Sequence, residues 1–176
     1  MYRFGRYQPN ISAGAQLAPD AQIVGQVKVE SGVSVWFGTV LRGDLANVWI
    51  KEGAVVEDGT IVHSEALAPV SIGREAVIGA RSVLQGCTVE DGATIGTGAV
   101  LLSGSQVGSG AYVAPGTVVT KGQMVHAGTF AAGNPAIELR ALTADERSEL
   151  QARATTVRQL AARYMDMKIF HTLKLR

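Results

Sequence analysis

The stretch Val89–Val125 reads VEDGATIGTGAVLLSGSQVGSGAYVAPGTVVTKGQMV, with an aliphatic residue at every sixth position: Val89, Ile95, Leu101, Val107, Val113, Val119 and Val125. Backwards from it, after one dropped residue, the same beat runs through Leu84, Ile78 and Ile72. Beyond a loop it returns at Val62, Val56 and Ile50, and a three-residue insertion separates these from Leu41, Val35, Val29, Ile23, Leu17 and Ile11. Every one of these positions is Ile, Leu or Val. Four residues after them the side chain is small in most repeats: Ala15, Ala21, Thr39, Ala54, Thr60, Ala76, Ser82, Ala93, Ala99, Ser105, Ala111 and Thr117. Val27, Val33, Leu45 and Gln123 depart from that rule.

A period of six fits neither a 3.6-residue helix nor the alternation of one long strand. It fits a short strand plus a turn, repeated around a triangular coil, with the aliphatic residue pointing inward on each flat side and the small one near each corner. Gly73, Gly79, Gly96 and Gly108 each follow an aliphatic position directly, where the lack of a Cβ suits a tight turn. Stacked coils bury a continuous ladder of Ile, Leu and Val at roughly 25 cal/mol per Å2, which no single coil achieves alone. The pattern therefore predicts an all-β solenoid, a parallel β-helix, over residues 1–137. Its regularity breaks at Arg42–Asn47 and at Ser64–Pro69, just after His63, and insertions in a solenoid often build its functional surface. The coil is expected to end near Gly133-Asn134-Pro135.

Residues 138–176 carry a different pattern. Thr143-Ala-Asp-Glu146 reads as a capping box, and Leu150, Val157, Leu160, Tyr164 and Met167 follow at helical spacing. A helix from about Thr143 to Met165 is expected, packed on the β-helix or on a neighbouring subunit. The terminal IFHTLKLR reads as a docking strand or as a cloning remnant.

Bulk properties exclude several classes. The chain has 176 residues, 47% of them apolar, with 16 Lys and Arg against 15 Asp and Glu, so no charge imbalance points to nucleic acid. No apolar run approaches a membrane span, and MYRFGRYQPN lacks the pattern of a signal peptide. A lone Cys87 forms no internal disulfide, which together with the leader reading points to the cytoplasm.

The string Val40-Leu-Arg-Gly-Asp44, then Glu57-Asp-Gly-Thr-Ile-Val-His63, then Val77-Ile-Gly through Leu84-Gln-Gly-Cys87, resembles the γ-class carbonic anhydrase-like family, which includes proteins labelled ferripyochelin-binding. The likeness extends to Ala132-Gly-Asn-Pro135 and the terminal helix. It implies a left-handed coil, a homotrimer, and a zinc or iron ion held between subunits by three histidines, with an open position for water. A cation so bound lowers the pKa of that water to about 7, supplying hydroxide to attack CO2. The first family histidine matches His63. The other two lie five apart, in a pattern like Ile-Gly-His-x-x-x-x-His-Gly-Cys, and here that stretch reads Ile78-Gly-Ala-Arg-Ser-Val-Leu-Gln-Gly-Cys87. Ala80 and Gln85 occupy those positions.

Alanine has no donor atom, and an amide oxygen is a poor zinc ligand beside imidazole. The reading is therefore a trimeric scaffold or small-ligand-binding protein without ordinary CO2 hydration and without a cofactor, a small anion such as bicarbonate being the ligand expected at the subunit interface. The alternatives are an enzyme whose altered shell still holds zinc or iron, and a CoA-dependent thioesterase or acyltransferase using His63 or His126 as base. Family-equivalent positions give Arg42 and Asp44 as an anion-orienting pair or an interface salt bridge. They give Glu57 as a base near the reactive water or a solvated turn residue, and His63 as the remaining ligand or an interface histidine. Cys87 reads as a small buried residue, and His171 carries no motif.

Overall fold

The computed structural model describes residues 1–172, and the last four residues of the expected tail, Leu173–Arg176, lie outside them. The chain forms a left-handed parallel β-helix followed by one α-helix. The hand opposes the usual right-handed crossover between parallel strands. Strands mostly of two or three residues alternate with turns and pair in parallel with those of adjacent coils, until Thr129–Ala132 closes the stack by pairing antiparallel with Ile137–Ala141. Of the six-spaced aliphatic positions, all but Ile11 at the open end are buried in one continuous core. The small corner residues are buried with them. Val27 and Val33, exceptions in the sequence, also fit inside the coil, whereas Leu45 is thrown out to 60% exposure.

Leu45 is displaced because the first interruption is no free loop. Val40–Ile50 is a single strand that turns a corner of the triangle, pairing with Gln22–Val29 through a register shift between Gly25 and Val27. The second interruption is a tight excursion in which Glu65 and Ala68 exchange backbone hydrogen bonds of 3.0 Å, leaving Leu67 fully exposed at its tip.

The glycines after the aliphatic positions are needed for a different reason from the one their spacing suggests. A Cβ on Gly96 would lie 2.4 Å from the backbone nitrogen of Pro115 in the next coil, and one on Gly79 would lie 2.7 Å from Ile95 O. Close stacking, not dihedral freedom, demands glycine there. Positive φ belongs to other turn positions, such as Gly98 at 69°, with open space where its Cβ would be. Arg81 occupies such a position at φ 58° and Glu75 at 57°.

Three outward columns of side chains clothe the triangle. The first runs Gln22–Val40–Ile61–Val83–Val100–Val118, and the turn at Gly133–Ala136 hydrogen-bonds to Val118 above it. The second runs Asn10–Lys28–Trp49–Ser71–Thr88–Gln106–Met124. The third runs Gln16–Ser34–Val55–Val77–Thr94–Tyr112–Phe130 and is partly covered by the α-helix.

That helix, α1 (Ala144–Asp166), starts with the expected capping box: the Glu146 amide donates to Thr143 Oγ1 and the Thr143 amide to Glu146 Oε2. Its buried residues are Ala154 and Ala161, with Val157, Tyr164 and Met165 half-buried around them. Leu160 and Met167, expected on the packed stripe, face outward at 38% and 66% exposure. The alanines win the contact because the helix must approach a floor already filled by Trp36, Val55 and Val77. Trp36 meets Tyr164 and Phe170 edge-on, with centroids 5.5 and 5.1 Å apart. Beyond the helix, His171 bridges to Leu17 and Thr172 Oγ1 donates to Ala15 O at 2.8 Å, so the described part of the tail docks on the first coils. No helix among the described residues is long and apolar enough to cross a membrane.

Gly96→Ala should cost about 1–3 kcal/mol, because it overpacks a backbone contact. Gly98→Ala should cost only ~1–2 kcal/mol, from the left-handed conformation alone. Urea unfolding of both variants checks the order, and a larger loss at Gly98 would refute the close-stacking account.

Candidate functional site

One corner of the triangle gathers the residues singled out by sequence. In the corner column Val24–Arg42–His63–Gln85, the strands pair Arg42 with His63 and His63 with Gln85. The hexapeptide register alone achieves this: each residue directly follows an inward aliphatic one, Leu41, Val62 or Leu84. The two interruptions project from this same corner. They are tied together where the Ala46 amide donates to the buried Ser64 hydroxyl at 3.0 Å.

Arg42 Nη1 donates to Asp44 Oδ2 at 2.6 Å, within one chain. Burial raises the Asp44 pKa, but the Arg42 guanidinium, helped by the backbone amides of Asp44 and Leu45, makes the net shift downward. The other carboxylate oxygen, Oδ1, is buried and has no partner among the described residues. An unpaired buried carboxylate oxygen is costly, so it marks a place where something further is expected to arrive. His63 is half-buried, and its Nδ1 lies 3.3 Å from Ser64 O, a contact that needs the proton on Nδ1 and leaves Nε2 as acceptor.

Gln85 donates its amide to Glu65. Ser103 foremost, then Gln85, hold the Glu65 carboxyl below the usual carboxylate range. Sequence reasoning missed Glu65, although it lies two residues after His63 inside an interruption that was flagged. The Gln85 amide is thus already engaged with a side chain of its own chain.

Ala80 and Glu57 lie elsewhere. Glu57 Oε2 accepts from the Ala80 amide at 3.1 Å, and Arg153 of α1 donates to both Glu57 oxygens at 2.9 and 3.0 Å. Ala80 lies in the turn after the strand Val77–Ile78, whereas Gln85 ends the strand Val83–Gln85 in the other sheet, so the two family-histidine positions stand on different sides of the coil. Cys87 is buried among core aliphatics, where desolvation pushes its thiol up to about 12. His126 sits on the last coil, with Nδ1 2.8 Å from Glu138 Oε1, and His171 bridges to the first coils. Neither approaches His63 through any contact among the described residues.

These donors do not fit a three-imidazole metal site. Ala80 offers a methyl group, Gln85 an amide bound to Glu65, and only His63 an imidazole. Among the described residues, no group of three or more His, Cys, Asp and Glu side chains is placed to hold a metal ion.

The fold defines a hexapeptide-repeat protein, and among the described residues this corner of it lacks a three-imidazole donor set. A family profile described as "Bacterial transferase hexapeptide (six repeats)" matches residues 86–121. The structure superposes on a Bacillus cereus protein named as a candidate acetyltransferase, with a TM-score of 0.93 and 30% identity, over 94% of this chain and 96% of that one. A hexapeptide transferase family protein from Anaplasma phagocytophilum gives a TM-score of 0.89 and 32% identity over 93% and 96%. On these full-length likenesses the chain belongs to the hexapeptide transferase family.

Homology to γ-carbonic anhydrases is weaker and partial. Gamma carbonic anhydrase 3, mitochondrial, of Arabidopsis thaliana is 42% identical over 55 residues, which is 31% of this chain and 21% of that protein. The carbonic anhydrase of Geobacillus kaustophilus is 33% identical over 72 residues, 41% of this chain and 40% of that one. The match thus spans about a fifth of the plant relative and two fifths of the bacterial one.

Glu57→Ala should destabilise by about 1–3 kcal/mol, because it strands the Ala80 amide as well as breaking the ion pair. Arg153→Ala should cost about 1 kcal/mol or less, as expected of a pair with one exposed partner. Equal losses in denaturant unfolding would count against an anchoring role for Glu57.

Proposed function

We propose that the chain forms a homotrimer in the cytoplasm and acts as a scaffold or small-ligand-binding protein, without zinc-dependent CO2 hydration. The observation that carries this reading is the first outward column. Outward positions of a solvated β-helix face are ordinarily polar, yet Val40, Ile61, Val83, Val100 and Val118 form an aliphatic stripe that no helix or further strand among the described residues covers, the valines half-buried and Ile61 42% exposed. A contiguous exposed apolar strip on a folded domain marks an interaction surface. Its parallel, in-register geometry suits packing against the same stripe of two further copies around a threefold axis.

The Arg42–His63 corner adjoins the stripe, so trimer formation would bring it beside a neighbouring coil. The unpaired Asp44 Oδ1 supports that arrangement, since a donor from the next subunit would satisfy it. Arg42 then offers a guanidinium fork to a small planar anion such as bicarbonate, and His63 Nε2 an acceptor for its O–H. Sequestered Gln85 and donorless Ala80 argue against a compensated metal shell.

A second reading rests on His126. Glu138 holds its Nδ1 at 2.8 Å, leaving Nε2 outward, the arrangement of a base steadied by a carboxylate. A thioesterase or acyltransferase using CoA would need such a base. On that reading His126→Ala abolishes thioester turnover, and unchanged turnover removes it.

The first reading is tested by sedimentation and elemental analysis of the full chain purified without chelators. A metal-free trimer is expected. Val83→Asp, which places a charge in the centre of the stripe, should give monomers at micromolar concentration with the circular dichroism of the parent. Stoichiometric zinc or iron, or a Val83→Asp protein that still sediments as a trimer, would overturn it.

A further inference from the structure

On the second outward column, Trp49 stands 40% exposed between Lys28 and Ser71. Its indole Nε1 donates to Glu30 Oε1 at 2.9 Å, and the ammonium groups of Lys28 and Lys51 lie 4.5 and 5.2 Å from its ring centroid. Glu30 also accepts from Lys28 at 3.0 Å and from the Glu52 amide at 3.1 Å. The Lys28 hydrogen bond holds the Glu30 carboxyl below its usual range despite the opposing effect of burial, with the Trp49 and Glu52 donors assisting. The ring is therefore fixed before any ligand arrives, which lowers the ordering cost of binding.

Beside it lies a cleft of about 290 Å3, lined by Gln8, Asn10, Gln26, Lys28, Asn47 and Trp49. Val27 and Val48 also border it, but their side chains are buried inside the coil. The volume is near the lower end of ligand pockets, roughly 300–1,000 Å3, and suits one monosaccharide. Gln8 Oε1 accepts from Arg3. Asn10, Gln26 and Asn47 make no side-chain hydrogen bond among the described residues, and no carboxylate lines the cleft.

That composition selects a ligand chemistry. A carboxamide both donates and accepts, as does a sugar hydroxyl, so a ring of carboxamides matches a polyol better than it matches an ion. The indole supplies an apolar flank for the C–H face of a sugar ring. Lys28 has three donors, and Glu30 takes one of them. A neutral sugar leaves the charge of that ammonium unmatched, and a simple anion leaves the carboxamide oxygens without a donor. We infer that the Trp49 cleft is a binding site for a monosaccharide that bears a carboxylate, with its hydroxyls on Asn10, Gln26 and Asn47 and its carboxylate on Lys28. Asn47 ends the first interruption, but the site uses none of Arg42, Asp44, His63 and Gln85 and does not depend on their chemistry.

The test titrates the full chain separately with D-glucuronate, D-glucose and acetate, following the indole N–H signals by 15N NMR. Trp36, buried and donating to Ser34 at 3.2 Å, provides the control signal. D-Glucuronate should shift the Trp49 signal saturably, at least fivefold more tightly than either other probe, with Trp36 unmoved. Asn47→Ala, on an exposed side chain, should weaken this binding at least fivefold, and Lys28→Gln should reduce D-glucuronate to the level of D-glucose. No saturation by D-glucuronate, equal binding of acetate, or an Asn47→Ala protein of unchanged affinity would each overturn the site. Equal binding of D-glucose would overturn the acidic class of its ligand.

Discussion

The distance between adjacent coils governs this molecule. Parallel strands must lie about 4.8 Å apart to hydrogen-bond, and successive coils of the stack are joined by such pairing. The inward residue has to be aliphatic to fill a triangular interior, the corner residue small, and the residue after the aliphatic one often without a Cβ. Gly79 and Gly96 meet the next backbone so closely that a methyl group has no room. Since each coil is satisfied only by its neighbours, the stabilising contacts are nearest-neighbour terms summed along one axis.

Given that constraint on the inside, the outside is where the chain differs from a generic solenoid, and its three faces have separate fates. One face is covered by α1, held by the Trp36–Tyr164–Phe170 cluster and by the Arg153–Glu57 and Arg158 contacts to the coil. One is polar and carries the fixed indole of Trp49. The third is aliphatic, and no helix among the described residues covers it. The corner with His63 lies at the edge of the aliphatic face, so its chemistry and the association state belong to one problem. At that corner His63 supplies a single imidazole, and a polar network surrounds it in which Gln85 turns to Glu65 and Arg42 to Asp44.

Much of the fold was legible because the period of six is a direct image of the coil. The inward residues, the break after His63, the exit near Pro135 and the capping box at Thr143 can all be read by counting. The stripe of α1 was harder: hydrophobicity favoured Leu160 and Met167, but contact depends on the shape of the floor, and the alanines fit it. The role of Gly79 was misread because one sequence does not reveal how near the next backbone lies. Positions of the site were legible in part. Counting places Arg42, His63 and Gln85 at equivalent corner positions, but Glu65 hydrogen-bonds to Gln85 only because the excursion folds back. Glu57 carries no sign in the sequence that a helix nearly a hundred residues later will pair with it.

The course of α1 has a further consequence. Its capping region adjoins the last coil, where the Leu142 amide donates to Gly128 O, and the segment after it reaches Leu17 and Ala15 near the first. A helix of 23 residues spans about 35 Å, comparable to the height of the coil stack. A linear array of nearest-neighbour units ordinarily frays from its ends, each terminal coil opening without regard to those in the middle. Here the two ends are joined by a brace. Opening either terminal coil disturbs the helix, and the helix in turn contacts coils between them. The molecule should therefore lose its structure in a single cooperative step, with amide protection in its outer coils close to that of its centre, as in a globular domain rather than a repeat array.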